Sequence, residues 1–187
     1  MILYLHGFAS CGDSTKTRLL KEYFGEEAFY SPDLPLNPDQ AVAFIDTVIK
    51  ENRIELLIGS SLGGFYASFF CEKYKIKTVL INPSTEPHIT LAPYVGTNRF
   101  WCSGEPFEWK ESYLDALAQY NIPAVKDPSA YLLLLQKGDE LLDYSKAVQR
   151  YRGAELSLEE GGNHRFENLN NYLERINEFY KSACHHT

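Results

Sequence analysis

Short apolar runs recur along the chain at residues 2–5, 28–31, 54–58, 77–81, 131–136 and 154–158. Each is rich in aliphatic, β-branched or aromatic residues and is bounded by Gly, Pro, Asn or Asp, the pattern of a strand. Between most of them the spacing becomes helical: 14–24, opened by Asp13 or Ser14 as cap; 39–51, after Pro38; 62–74; 144–152; and 168–181. Strand and helix alternate, which predicts an α/β fold with a mostly parallel sheet of about six strands and helices on both faces. Parallel neighbours need crossover connections, and those crossovers cover the sheet. Ligands of such sheets bind outside the carboxyl ends of the strands.

The alternation breaks over residues 84–130, where prolines at 87, 93, 106, 123 and 128 leave one helical stretch, near 110–120. A connection this long is usually functional. It reads as an irregular excursion across the strand ends, and its aromatics Phe100, Trp101, Phe107 and Trp109 are candidates to line a substrate pocket. Ordinary loop packing accounts for them equally well, because aromatics bury large areas wherever they can. No repeat or composition shift divides the 187 residues, so 1–187 is expected to be a single domain.

Composition narrows the function classes. An apolar content of 44% with a net charge of −7 describes a soluble globular protein and argues against a polyanion such as nucleic acid as partner. The opening MILYLHGF lacks the charged and long apolar regions of a signal peptide, and no apolar run reaches the roughly 18 residues of a membrane span. A cytoplasmic protein is expected. Cys11, Cys71, Cys102 and Cys184 are far apart and form no CxxC pair, so reduced thiols are expected rather than a zinc site or a disulfide framework. Cys184, His185 and His186 could ligate a metal in principle, but they stand at a terminus with no further ligand nearby, and no metal is expected.

The chemistry concentrates at Gly59-Ser60-Ser61-Leu62-Gly63, a GxSxG between an apolar strand and a helix beginning near Leu62. In that context Ser61 occupies the tip of a strained turn whose flanking glycines admit close backbone approach. A phosphate-cradling loop would need Lys after its last glycine, and Gly64 is followed by Phe65. An unassisted serine hydroxyl is a poor nucleophile and requires a histidine base oriented by a carboxylate, in the chain order Ser, acid, His. His164 sits in EEGGNHRF between the last strand and the last helix; His6 precedes the serine, and His88, His185 and His186 lack such a placement. For the acid, QKGDELLDY offers Asp139, Glu140 and Asp143. Asp139 comes first after the strand, whereas Asp143 reads better as the N-cap of the following helix. Backbone N–H groups of Leu62 and Phe8 are the expected oxyanion donors, with His6 and Gly7 shaping the Phe8 loop.

Together LYLHGF, GSSLGGFYA, NPS, KGDELLDY and EGGNH resemble the α/β-hydrolases, and among them the small YqiA-like bacterial esterases. The resemblance spans most of the chain and is weakest over 84–130. It implies a compact hydrolase fold without a large cap domain, a Ser61, Asp139, His164 triad, hydrolysis of acyl esters or acyl-CoA thioesters as small-molecule substrates, and no metal or organic cofactor. A non-catalytic ligand-binding member of the fold is the rival from another class.

Overall fold

The computed structural model describes residues 1–182. Strands β1 (Ile2–Leu5), β3 (Leu56–Ser60) and β7 (Tyr131–Gln136) are buried at every residue, and β4 (Lys77–Ile81) at all but its first. That is why their sequences are continuous apolar runs: a parallel sheet clothed on both faces leaves no strand position for water. Successive side chains then divide between two cores. Leu3, Leu5, Leu57, Leu80, Leu133 and Leu135 face one side, Ile2, Tyr4, Leu56, Ile58, Val79, Ile81, Leu132 and Leu134 the other.

The first core is closed by helices α2 (Pro38–Glu51) and α3 (Leu62–Tyr74) through Ala41, Ile45, Val48, Phe65 and Phe70. The second is closed by α1 (Thr15–Phe24) and α7 (Leu173–Ser182) through Leu20, Ile176 and Phe179. Local chemistry starts these helices where the pattern says. Ser14 and Thr17 form a reciprocal capping box on α1, Asn37 accepts from the N–H groups of Asp39 and Gln40 ahead of α2, and Asp143 accepts from Ser145 to open α6 (Tyr144–Arg150). With β2 (Phe29–Tyr30) and β8 (Glu155–Glu159) added, the six strands run in the order β2-β1-β3-β4-β7-β8, all parallel. Several limits depart from expectation: β3 lies two residues later than the apolar run at 54–58, and α6 ends two residues before 152. A 3₁₀ turn at Glu26–Ala28 shortens the second strand to two residues, and another at Leu169–Tyr172 delays α7.

The excursion is more ordered than its prolines suggest. It contains α4 (Pro87–Thr90), an antiparallel hairpin of β5 (Gly96–Arg99) and β6 (Pro106–Trp109), and α5 (Glu111–Gln119). Pro106 is accommodated as the first residue of its strand, where no ladder N–H is needed. The thiol expectation is overturned at the hairpin tip: Cys11 and Cys102 are disulfide-bonded across 91 residues of sequence. The excursion folds back onto the loop after β1, and spacing along the chain gives no sign of that approach. Cys71 is a free, buried thiol, and Cys184, His185 and His186 lie outside the described residues. Among the described residues no helix is long and apolar enough to cross a membrane, and no group of His, Cys, Asp and Glu is arranged to hold a metal ion.

Candidate active site

The chain leaves β1 toward β2 on one side and later places β3 on the other, so the loops after β1 and β3 part at a crevice above the sheet. Ser61 stands there, between β3 and α3, with φ 54° and ψ −120°. This conformation costs an L-residue about 1–3 kcal/mol and persists only where neighbours over-determine it. The Ser61 N–H donates to the Ile81 carbonyl at 3.1 Å, and its own carbonyl accepts from the N–H groups of Ser84 and Gly64 at 3.0 and 2.9 Å. A Cβ at Gly63 would overlap the Leu5 carbonyl, one at Gly59 the backbone of Gly63, and one at Gly7 would stand 3.1 Å from the Ser61 Cβ. Packed main chain excludes a side chain at Gly59 and Gly63, and at Gly7 an added carbon would crowd Ser61 itself. Ser60, in contrast, is buried at the end of β3 with its side chain bonded to Tyr4.

His164 reaches Ser61 from the loop after β8. Its Nε2 is 3.0 Å from Ser61 Oγ, and its Nδ1 is 3.0 and 2.9 Å from the two carboxylate oxygens of Asp139. Asp139 is 2% exposed at its side chain, and Oδ1 also accepts from the N–H groups of Leu141 and Leu142, both at 2.9 Å. An ionised carboxylate bonded this way makes Nδ1 the protonated ring nitrogen and leaves Nε2 free to accept the serine proton. Asp143 makes none of these contacts; its carboxylate is spent on the Ser145 N–H and hydroxyl at 2.9 and 2.6 Å.

Three further residues hold His164 in place: Gln136 and Asn82, which sequence reasoning passed over, and Glu140, which it weighed only as an alternative acid. Gln136, fully buried at the end of β7, accepts from the N–H groups of Asn163 and Glu167 and donates to the Glu167 carbonyl and the Glu159 carboxylate. Asn82 donates to the carbonyls of Asn163 and His164 while accepting from the Gln136 N–H. Glu140 accepts from the His164 N–H at 2.9 Å, and that bond draws its carboxyl below the usual range. Gln136 had a signal, since it is the lone polar residue ending an apolar run; Asn82 had one in the NPS motif.

The loop after β1 packs over Ser61. His6 Nε2 accepts from the Leu34 N–H at 2.9 Å, so its proton sits on Nδ1 and is donated to the Gly7 carbonyl at 2.8 Å. Burial lowers its pKa, and the ring is a neutral brace. The N–H groups of Phe8 and Leu62 find no acceptor among the described residues. Next to Phe8 opens a small cavity lined by Leu34, Leu36, Leu62, Tyr66, Phe100 and Trp109. Of the four aromatics singled out in the excursion, Phe100 and Trp109 reach this cavity. Phe107 is buried behind it, edge-on to Phe8 at 5.6 Å between ring centroids, while Trp101 is 75% exposed at the hairpin tip.

Comparison with solved structures places this arrangement in a familiar architecture. Est1E from Butyrivibrio proteoclasticus, solved with ferulic acid bound, superposes with a TM-score of 0.72 at 15% identity, covering 98% of this chain and 88% of its own. A monoacylglycerol lipase from Paleococcus ferrophilus superposes with a TM-score of 0.67 at 18% identity, covering 97% and 94%. The fold is that of a compact α/β-hydrolase. In sequence, YcfP of Salmonella paratyphi A is 26% identical over 190 residues, and a protein of Vibrio parahaemolyticus, VP0969, is 24% identical over 190; each comparison covers 96% of this chain and 98% of the relative. The family model described as "Uncharacterised protein family (UPF0227)" matches residues 1–181, and the chain belongs to that family.

Proposed function

We propose that this protein is a serine hydrolase that cleaves small acyl esters through an acyl-enzyme. The observation carrying the proposal is His164, set between Ser61 Oγ at 3.0 Å and a buried Asp139 carboxylate at 2.9 Å. Ser61 Oγ attacks the acyl carbonyl carbon as its proton passes to His164 Nε2, and Asp139 stabilises the imidazolium that forms. The oxyanion is held by the unengaged N–H groups of Phe8 and Leu62, which are fixed in place before the reaction begins. The C–O bond to the leaving group then breaks, and His164 returns its proton to the leaving oxygen. Water, deprotonated by the same nitrogen, releases the acid from Ser61.

The cavity beside Phe8 is the acyl pocket in this reading, and its size favours short acyl groups. Two structural neighbours, an Est1E solved with ferulic acid bound and a monoacylglycerol lipase, lend support at the level of reaction class. A non-catalytic binding module has no use for the strain at Ser61 or for a buried carboxylate dedicated to His164. The test is hydrolysis of phenyl esters of graded acyl length by the wild type, Ser61→Ala and Ser60→Ala. Ser61→Ala is expected to lose about 10⁴-fold or more in kcat, with Ser60→Ala mild by comparison. Near-normal turnover in Ser61→Ala would remove the nucleophile assignment.

A further inference from the structure

Trp109 brings a hydrogen-bond donor into an apolar cluster. It ends β6 and is 1% exposed, with the Phe8 ring edge-on at 5.0 Å between centroids and Tyr113 at 5.2 Å. Phe100 and Phe107 pack in the same cluster and carry no polar side-chain atom. The Trp109 indole nitrogen is buried and makes no hydrogen bond among the described residues. A buried indole N–H ordinarily has a partner, and leaving it without one opposes folding. Phenylalanine would fill the cluster without that penalty.

Trp109 also lines the cavity beside Phe8, together with Leu34, Leu36, Leu62, Tyr66 and Phe100. Acceptors on the Phe8 loop are already engaged. His6 Nε2 accepts from the Leu34 N–H, the Gly7 carbonyl from His6 Nδ1 and the Ser10 N–H, and the Ala9 carbonyl from the Trp101 N–H. The indole therefore has an open space beside its ring and no acceptor in the protein around it. That space, about 20 Å³ for the centre of a water-sized group, has room for a water or a few substrate atoms and none for a long chain.

We propose that the acyl group of the substrate carries an oxygen on its α-carbon, as in hydroxyacetyl and alkoxyacetyl esters, and that this oxygen accepts from Trp109 Nε1–H. The inference rests on the hydrolase reading, in which the acyl group enters this cavity while its carbonyl oxygen lies against the N–H groups of Phe8 and Leu62. Phe8 then supplies both an oxyanion donor and a wall of the cavity, so the atoms that meet the cavity are the first ones beyond the carbonyl carbon. A hydrocarbon acyl group in that space either strands the indole N–H or displaces a water without replacing its hydrogen bond. An oxygen in the same place does neither, which makes Trp109 a specificity-determining residue.

The test compares phenyl methoxyacetate with phenyl butanoate, and phenyl hydroxyacetate with phenyl propanoate, pairs in which an oxygen replaces one carbon of the acyl chain. Each kcat/KM is divided by the hydroxide-catalysed rate to remove differences in intrinsic reactivity. The wild type should favour the oxygenated member of at least one pair by about tenfold. Trp109→Phe keeps an aromatic ring and loses the N–H, so the preference should fall to near one while phenyl butanoate is still hydrolysed. A preference near one for both pairs in the wild type, or one retained in Trp109→Phe, overturns the proposal.

A second measurement does not depend on that variant folding. The chain has two tryptophans, so Ser61→Ala protein labelled with nitrogen-15 at the indoles should give two side-chain N–H signals, and Trp101→Phe in that background identifies the one from Trp109. Saturating phenyl methoxyacetate should leave the Trp109 signal downfield of where saturating phenyl butanoate leaves it, as a hydrogen-bonded N–H resonates downfield. A Trp109 signal that answers both esters alike, or neither, overturns the proposal. The downfield shift with no Ser61-dependent hydrolysis would keep the donor site and sink the hydrolase reading; Ser61-dependent hydrolysis with the Trp109 signal unmoved would do the reverse.

Discussion

The Ser61 turn and the tip of the β5–β6 hairpin both press on the Phe8 loop, and they are held there by different means. The turn is fixed by main chain alone. Its hydrogen bonds run to the backbone of Ile81, Ser84 and Gly64, and Gly7, Gly59 and Gly63 are places where a single added carbon would strike neighbouring backbone or the Ser61 side chain. The hairpin tip is fixed by side chains, through one disulfide, one backbone bond from Trp101 to Ala9 and aromatic contacts of Phe8 with Phe107 and Trp109. Backbone constraint of this kind tolerates almost no substitution. Side-chain constraint can be exchanged residue by residue.

The largest effect should come from the rigid region. Asp139→Asn keeps the shape of the acid but can donate to His164 Nδ1 and favour the wrong tautomer, so kcat should fall by about 10³ to 10⁴ with little change in melting temperature. Asp143→Asn should keep kcat, and an inverted result in that pair of kinetic measurements would exchange the two assignments. In the hairpin region the effect should be one of stability first. The Cys11→Ser, Cys102→Ser double variant removes a crosslink closing a long loop and should lose about 2–4 kcal/mol in denaturant unfolding, while Ser61 retains its reactivity. Loss of Ser61 reactivity in the still-folded double variant would show that the two regions are one mechanical unit.

Smaller again is Asp143→Ala, which removes a helix cap and should cost about 1 kcal/mol with kcat nearly kept. The smallest effect has the opposite sign. The folded-state pKa of Lys16 lies below its unfolded value, so its charge is disfavoured by folding. Lys16→Met should therefore raise the melting temperature at pH 7, on the order of 2 °C. The gain is complete below about pH 8 and fades as pH rises toward the unfolded pKa of lysine. A Lys16→Met variant that melts lower than the wild type at pH 7 would mean that Lys16 stabilises the fold.

The same division explains what the sequence discloses. The sheet is legible because full burial on both faces forces continuous apolar runs such as Tyr131–Gln136, and its helices are legible through caps such as Ser14 and Asn37. Ser61 and its glycines are legible because crowding by main chain leaves no alternative residue. The hairpin was not, since Gly96–Arg99 is a polar strand with no apolar face to set beside Pro106–Trp109. Nor was the Cys11–Cys102 bond, which depends on how the whole excursion folds back. Asn82 and Gln136 stand out in the sequence, but their roles do not, because most of their partners are backbone atoms around His164, distant in the chain.

The central claim, that Ser61 is the nucleophile driven by His164, is tested most directly by trapping. Treating the wild type, Ser61→Ala and His164→Ala with a fluorophosphonate and mapping the adduct by peptide mass spectrometry should give one stoichiometric modification on Ser61 in the wild type. It should give none in Ser61→Ala, and labelling slowed by several orders of magnitude in His164→Ala. Modification of Ser60 or another residue, or labelling of Ser61 that ignores the loss of His164, would contradict the account.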